Sequence, residues 1–433
     1  GIHDEAIWHT ANSSHQRRRQ VAGSLQAERL VLRRSLSILT FKGCILGGQK
    51  MNIRSIAEFR RLAQVRLPRP VFDFADGGAE DENTLRHNEL AFSRWALLPQ
   101  SLRGAAQRDL SIELFGHRLQ LPVLIGPTGL AGLFWPHGEL ASARAAQRAS
   151  TVYCLSHGSV CSMEQLAQVH AGQRWMQVFI YKDRGFTREL TERAKAARFS
   201  ALILTIDNQL LGKRERDWVN GFSIPPRFGP RELAQYAIKP AWWWAMRHEL
   251  PRITFGNYVR PGEPESVTGL AGRMGSLLDP GMNWRDVEAL RAHWPGPLLL
   301  KGVLHPDEAA QAQKLGVDGL IVSNHGGRQL DGAIASLEAL PSIVDRVGGS
   351  MPVLLDGGIR RGSHVLKALA LGARAVLVGR PQLWALSCDG EHGVYDMLEL
   401  LRDELDRAMG LCGLENIAAI EKAGPIVVRT VPS

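Results

Sequence analysis

Residues 319–325 read Gly-Leu-Ile-Val-Ser-Asn-His, an apolar run too short for a buried helix, opened by glycine and closed by polar side chains. Branched aliphatic residues without alternation predict a strand buried on both faces, the kind that builds parallel sheets. Working outward, seven more runs share the pattern: Val123–Pro127 (VLIGP), Thr151–Ser156 (TVYCLS), Trp175–Ile180 (WMQVFI), Ala201–Asp207 (ALILTID), Pro297–Val303 (PLLLKGV), Pro352–Gly357 (PVLLDG) and Ala375–Arg380 (AVLVGR). Each is followed by small or polar residues and then a helix-like stretch. The eight runs start 28, 24, 26, 96, 22, 33 and 23 residues apart, which is the spacing of β/α units with one long insertion, 208–296, after the fourth. The fold class is therefore α/β, a (β/α)8 TIM barrel. A closing helix is expected after the eighth run, because Val394, Met397, Leu398, Leu401, Leu405 and Ala408 share one helical face. An open doubly wound sheet would need a glycine-rich first turn, and Gly126-Pro-Thr-Gly129 is no dinucleotide fingerprint.

Composition narrows the class further. The chain has 433 residues, 45% of them hydrophobic and 22% charged, which excludes disorder and collagen. No apolar run is long enough to span a membrane. Five cysteines without C-x-x-C or metal-ligand spacing argue against a disulfide scaffold, and no metal is expected. The net charge of +9 misleads, because residues 1–50 alone hold eight Lys/Arg against three acidic residues. No nucleic-acid motif accompanies them, so residues 1–50 read as an unstructured basic extension with no nucleic-acid partner. Met51 opens an amphipathic helix pattern, and the functional unit is expected to be 51–433.

In such a barrel the chemistry lies at the C-terminal ends of the strands. The polar residues there are Thr128, Ser156, Gln177, Thr205, Asp207, Lys301, Ser323, His325, Asp356 and Arg380. A strand-end Ser or Thr alone commonly caps the next helix; eight strands ending this way point to a site. The turns Asp356-Gly357-Gly358-Ile359-Arg360 and Gly379-Arg380 suit a phosphate, from cofactor or substrate, because glycines bare backbone N–H groups and arginine adds charge-assisted bonds. In Ser323-Asn-His-Gly-Gly-Arg-Gln329, Arg328 can clamp a carboxylate while His325 takes a proton. Asp207 can hold the imidazole and stabilise its cation. Lys301 reads either as a Schiff-base lysine or as a fixed cation beside a cofactor that becomes anionic on reduction.

At this point the chain resembles the FMN-dependent 2-hydroxy acid dehydrogenases and oxidases, the family of mandelate and L-lactate dehydrogenases and glycolate oxidase. The likeness runs from about Met51 to the C-terminus. It is carried by Ser323-Asn-His-Gly-Gly-Arg-Gln-Leu-Asp331, Phe72-Asp-Phe-Ala-Asp-Gly-Gly-Ala-Glu-Asp81, Leu300-Lys-Gly-Val303, Asp356-Gly-Gly-Ile-Arg-Arg-Gly362 and Leu371-Gly-Ala-Arg-Ala-Val-Leu-Val-Gly-Arg380. The resemblance implies that Pro127, Thr128, Gly129, Ser156, Gln177, Thr205, Lys301, Ser323 and the two glycine turns hold FMN, with Lys301 an electrostatic residue. It implies His325 as the base paired with Asp207, and Arg214 with Arg328 as the ligands of the substrate carboxylate. The substrate would be an L-2-hydroxy acid oxidised to the 2-oxo acid, by carbanion or by hydride transfer. Two positions depart from the family: Phe74 and Phe179 stand where tyrosines facing the substrate are usual. Either the pocket favours a larger, aromatic acid, or the enzyme is slower on the same substrates.

The insertion holds Tyr236-Ala-Ile-Lys-Pro-Ala-Trp-Trp-Trp-Ala-Met-Arg-His248, whose aromatics and cations suit a membrane interface. The same tryptophans could instead cover the barrel mouth. A quinone acceptor and a place at the inner face of the cell membrane follow from the first reading, and dioxygen or a soluble acceptor in the cytoplasm from the second. The resemblance further implies a homotetramer. Two other classes stay open from the residues: a flavin-dependent oxidase of an amine or peptide-derived intermediate, and a non-catalytic flavin-binding scaffold.

Overall fold

Eight parallel strands close on themselves: β1 Val123–Ile125, β2 Tyr153–Leu155, β3 Arg174–Val178, β4 Ala201–Thr205, β5 Leu298–Val303, β6 Gly319–Val322, β7 Val353–Asp356 and β8 Ala375–Val378. Each pairs with the next, and β8 returns to β1 through Val376–Val123, Leu377–Leu124 and Val378–Ile125. This is the expected (β/α)8 barrel, seen in a computed structural model that describes residues 53–221, 236, 238–259, 278–422 and 426–429. The extension 1–50, Met51, and the insertion residues 222–235, 237 and 260–277 lie outside the described residues.

The strands form here because their side chains have apolar neighbours on both faces. β1, β4, β6 and β8 are buried along their whole length, and each buried Val, Leu or Ile contributes about 1.5–3 kcal/mol. Lys301 is buried in β5 among Leu298, Leu299, Leu300 and Val303, so it must have a charged partner. The outer ring is α1 Gly138–Arg148, α2 Met163–Val169, α3 Arg184–Ala196, α4 Trp284–His293, α5 Pro306–Lys314, α6 Ser336–Val347, α7 Gly362–Ala370 and the closing helix α8 Arg380–Leu411. The predicted apolar face of α8 is buried, but the helix breaks at Asp389 and Gly390, whose φ/ψ are not helical.

All the strands but β5, which ends with its run at Val303, stop short of the runs read from sequence. Ser156, Asp207, His325, Gly357 and Arg380 all lie beyond the last ladder residue. The chain leaves the sheet at these points, which frees the side chains to turn over the barrel mouth. Two further segments complete the mouth. Helix Arg69–Asp76 brings Phe74 to it, anchored by the buried Val71 and Phe72. After β4 come helices Glu215–Val219 and Pro240–Met246, and only then α4, which ends the 208–296 interval.

Candidate active site

A cavity of about 570 Å³ opens at the C-terminal mouth, and every strand end contributes to its wall. Among the residues singled out by sequence, Pro127, Thr128, Gly129, Ser156, Gln177, Phe179, Thr205, Arg214, Lys301, His325, Arg328, Asp356, Gly357, Gly358, Ile359, Arg360, Gly379, Arg380 and Phe74 line it. Asp207 and Ser323 stand behind this wall. Ser323 Oγ donates to Asp356 (2.9 Å) and accepts from Lys301 Nζ (3.0 Å) and from the His325 backbone N–H (3.0 Å). It ties three strand ends into one unit.

On one side of the cavity the geometry is that of an anion cradle. Lys301 Nζ lies 2.9 Å from Asp356. Burial alone would pull the ammonium down, but Asp356 and Asp207 outweigh it and hold its pKa above the ordinary lysine value. It is a fixed cation, and a Schiff-base amine would need the opposite shift. Gly357 and Gly358 have φ of 115° and 75°, and a Cβ on Gly358 would fall 2.0 Å from the Asn88 carbonyl oxygen. Only glycine permits that approach. Arg360 donates to Glu89 (2.7 Å), and Arg380 to the carbonyls of Gly326 and Gly77 (2.8 Å each). Arg380 Nε is buried with no partner among the described residues. Burial, reinforced by Arg360, drives the Arg380 pKa down to about 10. Since arginine stays charged in proteins, the shift registers a buried positive charge that Asp76, Glu89 and Asp356 offset only in part.

Toward the other side stand the polar groups of a reacting centre. His325 has φ of 59°, a left-handed conformation costly for a residue with a Cβ. That turn sets its Nδ1 3.0 Å from Asp207 Oδ1. Asp207 can lie so close to the barrel because Gly302, at φ 106°, has no Cβ to meet it at 2.7 Å. Asp207 Oδ2 is buried and has no partner among the described residues. Arg328 donates to the carbonyls of Phe74 (2.7 Å) and Gly77 (3.0 Å), and its guanidinium lies 5.2 Å from the Phe74 ring centre. Burial, with Arg214 and Arg380 nearby, holds its pKa well below the ordinary arginine value. Asp217, 3.7 Å from Arg214, is the nearest acid, and burial raises its own pKa. Two clusters of undercompensated guanidinium thus face one cavity, an arrangement complementary to a ligand or ligands with two anionic groups.

Sequence reading missed part of the wall: His157, Gly158, Asn208, Leu211, Phe255, Tyr258, Leu278 and Gln329. His157 follows Ser156 at a strand end and was detectable by position; Phe255, Tyr258 and Leu278 come from the long interval, where no local pattern marks them. The Trp242–Trp244 triplet is divided between the interior and the surface. Trp242 is buried, stacks on Tyr236 (5.5 Å between ring centres) and donates to the Leu133 carbonyl (3.0 Å). Trp243 and Trp244 are exposed, and Arg247 lies 3.9 Å over the Trp244 ring.

The barrel and this cavity define an enzyme of the β/α-barrel class whose mouth is built for anionic ligands. More particularly, the chain belongs to the FMN-dependent dehydrogenase family, whose signature matches residues 63–426. It is 41% identical over 375 residues to an L-lactate dehydrogenase of Alcaligenes faecalis, covering 86% of this chain and 98% of the relative. An L-lactate dehydrogenase of Caulobacter vibrioides is also 41% identical, over 88% of this chain and 99% of that one. Among solved structures, the monotopic membrane protein (S)-mandelate dehydrogenase superposes with a TM-score of 0.84 at 38% identity, covering 88% of this chain and all of that one. A mandelate oxidase follows at 0.75 and 38%, over 86% and 98%. The protein is an FMN-dependent oxidoreductase. Its cavity fits that cofactor: the orphaned Arg380 Nε and the Gly357-Gly358 approach suit a phosphate, and Lys301 suits a ring system that gains negative charge.

Proposed function

We propose that this protein oxidises an L-2-hydroxy acid to the corresponding 2-oxo acid and passes the electrons on to a membrane quinone. The observation that carries the reading is that His325, held by Asp207, shares one cavity with Arg214 and Arg328. In this reading Arg214 and Arg328 bind the substrate carboxylate, which supplies the anion their mutual repulsion calls for. His325 takes the proton released on oxidation, from C2 in a carbanion route or from the hydroxyl in a hydride route, and Asp207 stabilises the resulting imidazolium. Pro127, Thr128, Gly129, Ser156, Gln177, Thr205, Lys301 and Ser323 would hold FMN, with its phosphate at Asp356–Arg360 and Gly379–Arg380. When bound, FMN supplies the two-electron acceptor. Phe74 and Phe179 make the substrate end more apolar, which favours an aromatic acid such as mandelate over lactate. Anaerobic addition of S-mandelate, L-lactate or glycolate to the yellow holoenzyme tests this: loss of the flavin colour with at least one of them is expected, and persistence with all three refutes it.

Contact with a membrane surface is part of the proposal. No helix among the described residues is long and apolar enough to cross a membrane. Trp218, Ile238 and Trp244 are nonetheless more than half exposed, all in the segment between β4 and α4. Rings at this exposure beside Lys239 and Arg247 suit the headgroup level. Cosedimentation with anionic phospholipid vesicles should fall several-fold in a Trp243→Ser/Trp244→Ser variant, while Trp242, as an internal anchor, is left intact.

A further inference from the structure

His157 contributes a group that the reaction above does not use. Its ring is buried in the cavity wall, edge-on to Phe179 with 4.2 Å between ring centres. Nδ1 lies 2.6 Å from the Tyr258 hydroxyl and 3.1 Å from that of Tyr181, and the two hydroxyls are 2.7 Å apart. Nε2 has no hydrogen-bond partner among the described residues, yet it is not enclosed, so its accessible edge is the one on the cavity.

The protons of this triangle can be assigned by counting acceptors. Tyr181 is wholly buried and reaches no acceptor in the triangle other than Tyr258 and His157. With Nδ1 protonated, three protons would compete for two oxygen acceptors, and one buried hydroxyl would be left without a bond. With Nδ1 bare, Tyr181 donates to Tyr258 and Tyr258 donates to Nδ1, and every proton is satisfied. Burial, with a smaller contribution from His325, pushes the imidazole pKa down to about 3, so the ring is neutral in ordinary buffers. The single ring proton therefore resides on Nε2. Both imidazoles line the same cavity.

We infer that His157 is a specificity-determining residue, whose Nε2–H donates a hydrogen bond to an oxygen of the bound hydroxy or oxo acid from a wall it shares with Phe179, Phe255, Leu278 and Tyr258, whose hydroxyl is bound to Nδ1. The two tyrosine hydroxyls are positioning groups that fix the tautomer. Phe179 carries no hydroxyl, and His157 beside it supplies the donor on that wall. The inference rests on the hydroxy acid reading, and direct binding separates the two.

The test measures dissociation constants of phenylglyoxylate and pyruvate for the holoenzyme by titration calorimetry, with flavin content and melting temperature recorded for each variant. His157→Phe should bind both oxo acids roughly five- to tenfold more weakly, the loss of one neutral hydrogen bond, with flavin content unchanged. His157→Gln, which keeps an N–H donor, should recover most of that loss. Tyr258→Phe, which releases the tautomer, should fall between wild type and His157→Phe. Wild-type affinity in His157→Phe, or equal weakening in His157→Gln, overturns the inference and leaves the hydroxy acid reading standing. If His157→Phe does not fold, wild-type affinity in Tyr258→Phe overturns it. A wild-type holoenzyme that binds neither oxo acid overturns the hydroxy acid reading and this inference with it.

Discussion

His325 is the residue on which the proposed chemistry turns, and its strained backbone is the local sign of it. A residue with a Cβ held at φ 59° costs about 1–2 kcal/mol, a cost tolerated where position matters more than stability. Replacing it with Gln keeps a polar side chain but removes the proton acceptor, and kcat should fall on the order of 10²–10⁴-fold. Asp207→Asn keeps the contact and removes the charge, so a smaller loss in kcat with flavin content intact is expected. Anaerobic stopped-flow absorbance of the flavin measures both. A second pair of changes tests why the pocket carries phenylalanine. Phe74→Tyr and Phe179→Tyr each restore a hydroxyl worth about 0.5–1.5 kcal/mol to a bound acid, up to roughly tenfold in kcat/KM. The ratio of L-lactate to S-mandelate turnover should shift toward lactate; an unchanged ratio would mean that these rings do not set substrate size.

At the scale of the element, the glycine turn after β7 is tightly constrained: among the described glycines, Gly358 has the closest approach to a neighbouring atom. Gly358→Ala would place a Cβ 2.0 Å from the Asn88 carbonyl oxygen at φ 75°, while Gly349→Ala, at φ 77°, would meet nothing within 4 Å. The pair separates backbone strain from collision. Gly349→Ala should cost about 1–2 kcal/mol and leave flavin content unchanged. Gly358→Ala should cost a further 1–3 kcal/mol or so and lower the bound flavin, measured by the absorbance ratio at 450 and 280 nm and by chemical unfolding. Such turns were readable in advance because glycine, aspartate and arginine beside an apolar run have a local meaning. The strands were readable for the same reason, since burial on both faces leaves a continuous apolar run. The break in α8 at Asp389–Gly390 was not read, because the apolar face picked out in the sequence starts only at Val394, although the polar, glycine-bearing stretch 389–393 is itself a local break signal. Nor was the His157–Tyr181–Tyr258 triangle, whose members are 24, 77 and 101 residues apart and meet only when the barrel closes. The split within Trp242–Trp244 likewise depends on the Leu133 carbonyl, a partner 109 residues away.

For the whole molecule, buried histidines couple stability to pH. Burial holds His157 at about 3 and His364, stacked on Phe92 at 4.3 Å, at about 4, against an ordinary value of 6.5. Both are neutral in the folded chain, whereas the unfolded chain takes up their protons once the pH drops below about 6.5. Stability from each is therefore complete above that pH and is lost as the pH falls toward the folded value, at ~1.4 kcal/mol per pH unit per histidine. Glu139 acts in the opposite sense: burial raises its pKa, so its contribution is lost as the pH rises. Wild-type slopes therefore mix several groups, but a single-site difference does not. His364→Gln removes one of these linked protons and leaves His325, Asp207, Arg214 and Arg328 untouched, although its ring nitrogen bonds the Arg360 backbone N–H of the proposed phosphate turn, so flavin content is recorded alongside. Between pH 6 and 4.5, guanidinium unfolding should show stability falling less steeply in this variant than in wild type, by about 1.4 kcal/mol per pH unit. At pH 7 and above the two curves should run parallel, offset by the lost stacking on Phe92 and the lost hydrogen bond from the Arg360 backbone N–H (3.3 Å). Parallel curves throughout the acid range would mean that His364 is protonated in the folded protein, and that the turn between Gly358 and α7 is more open to water than its burial indicates.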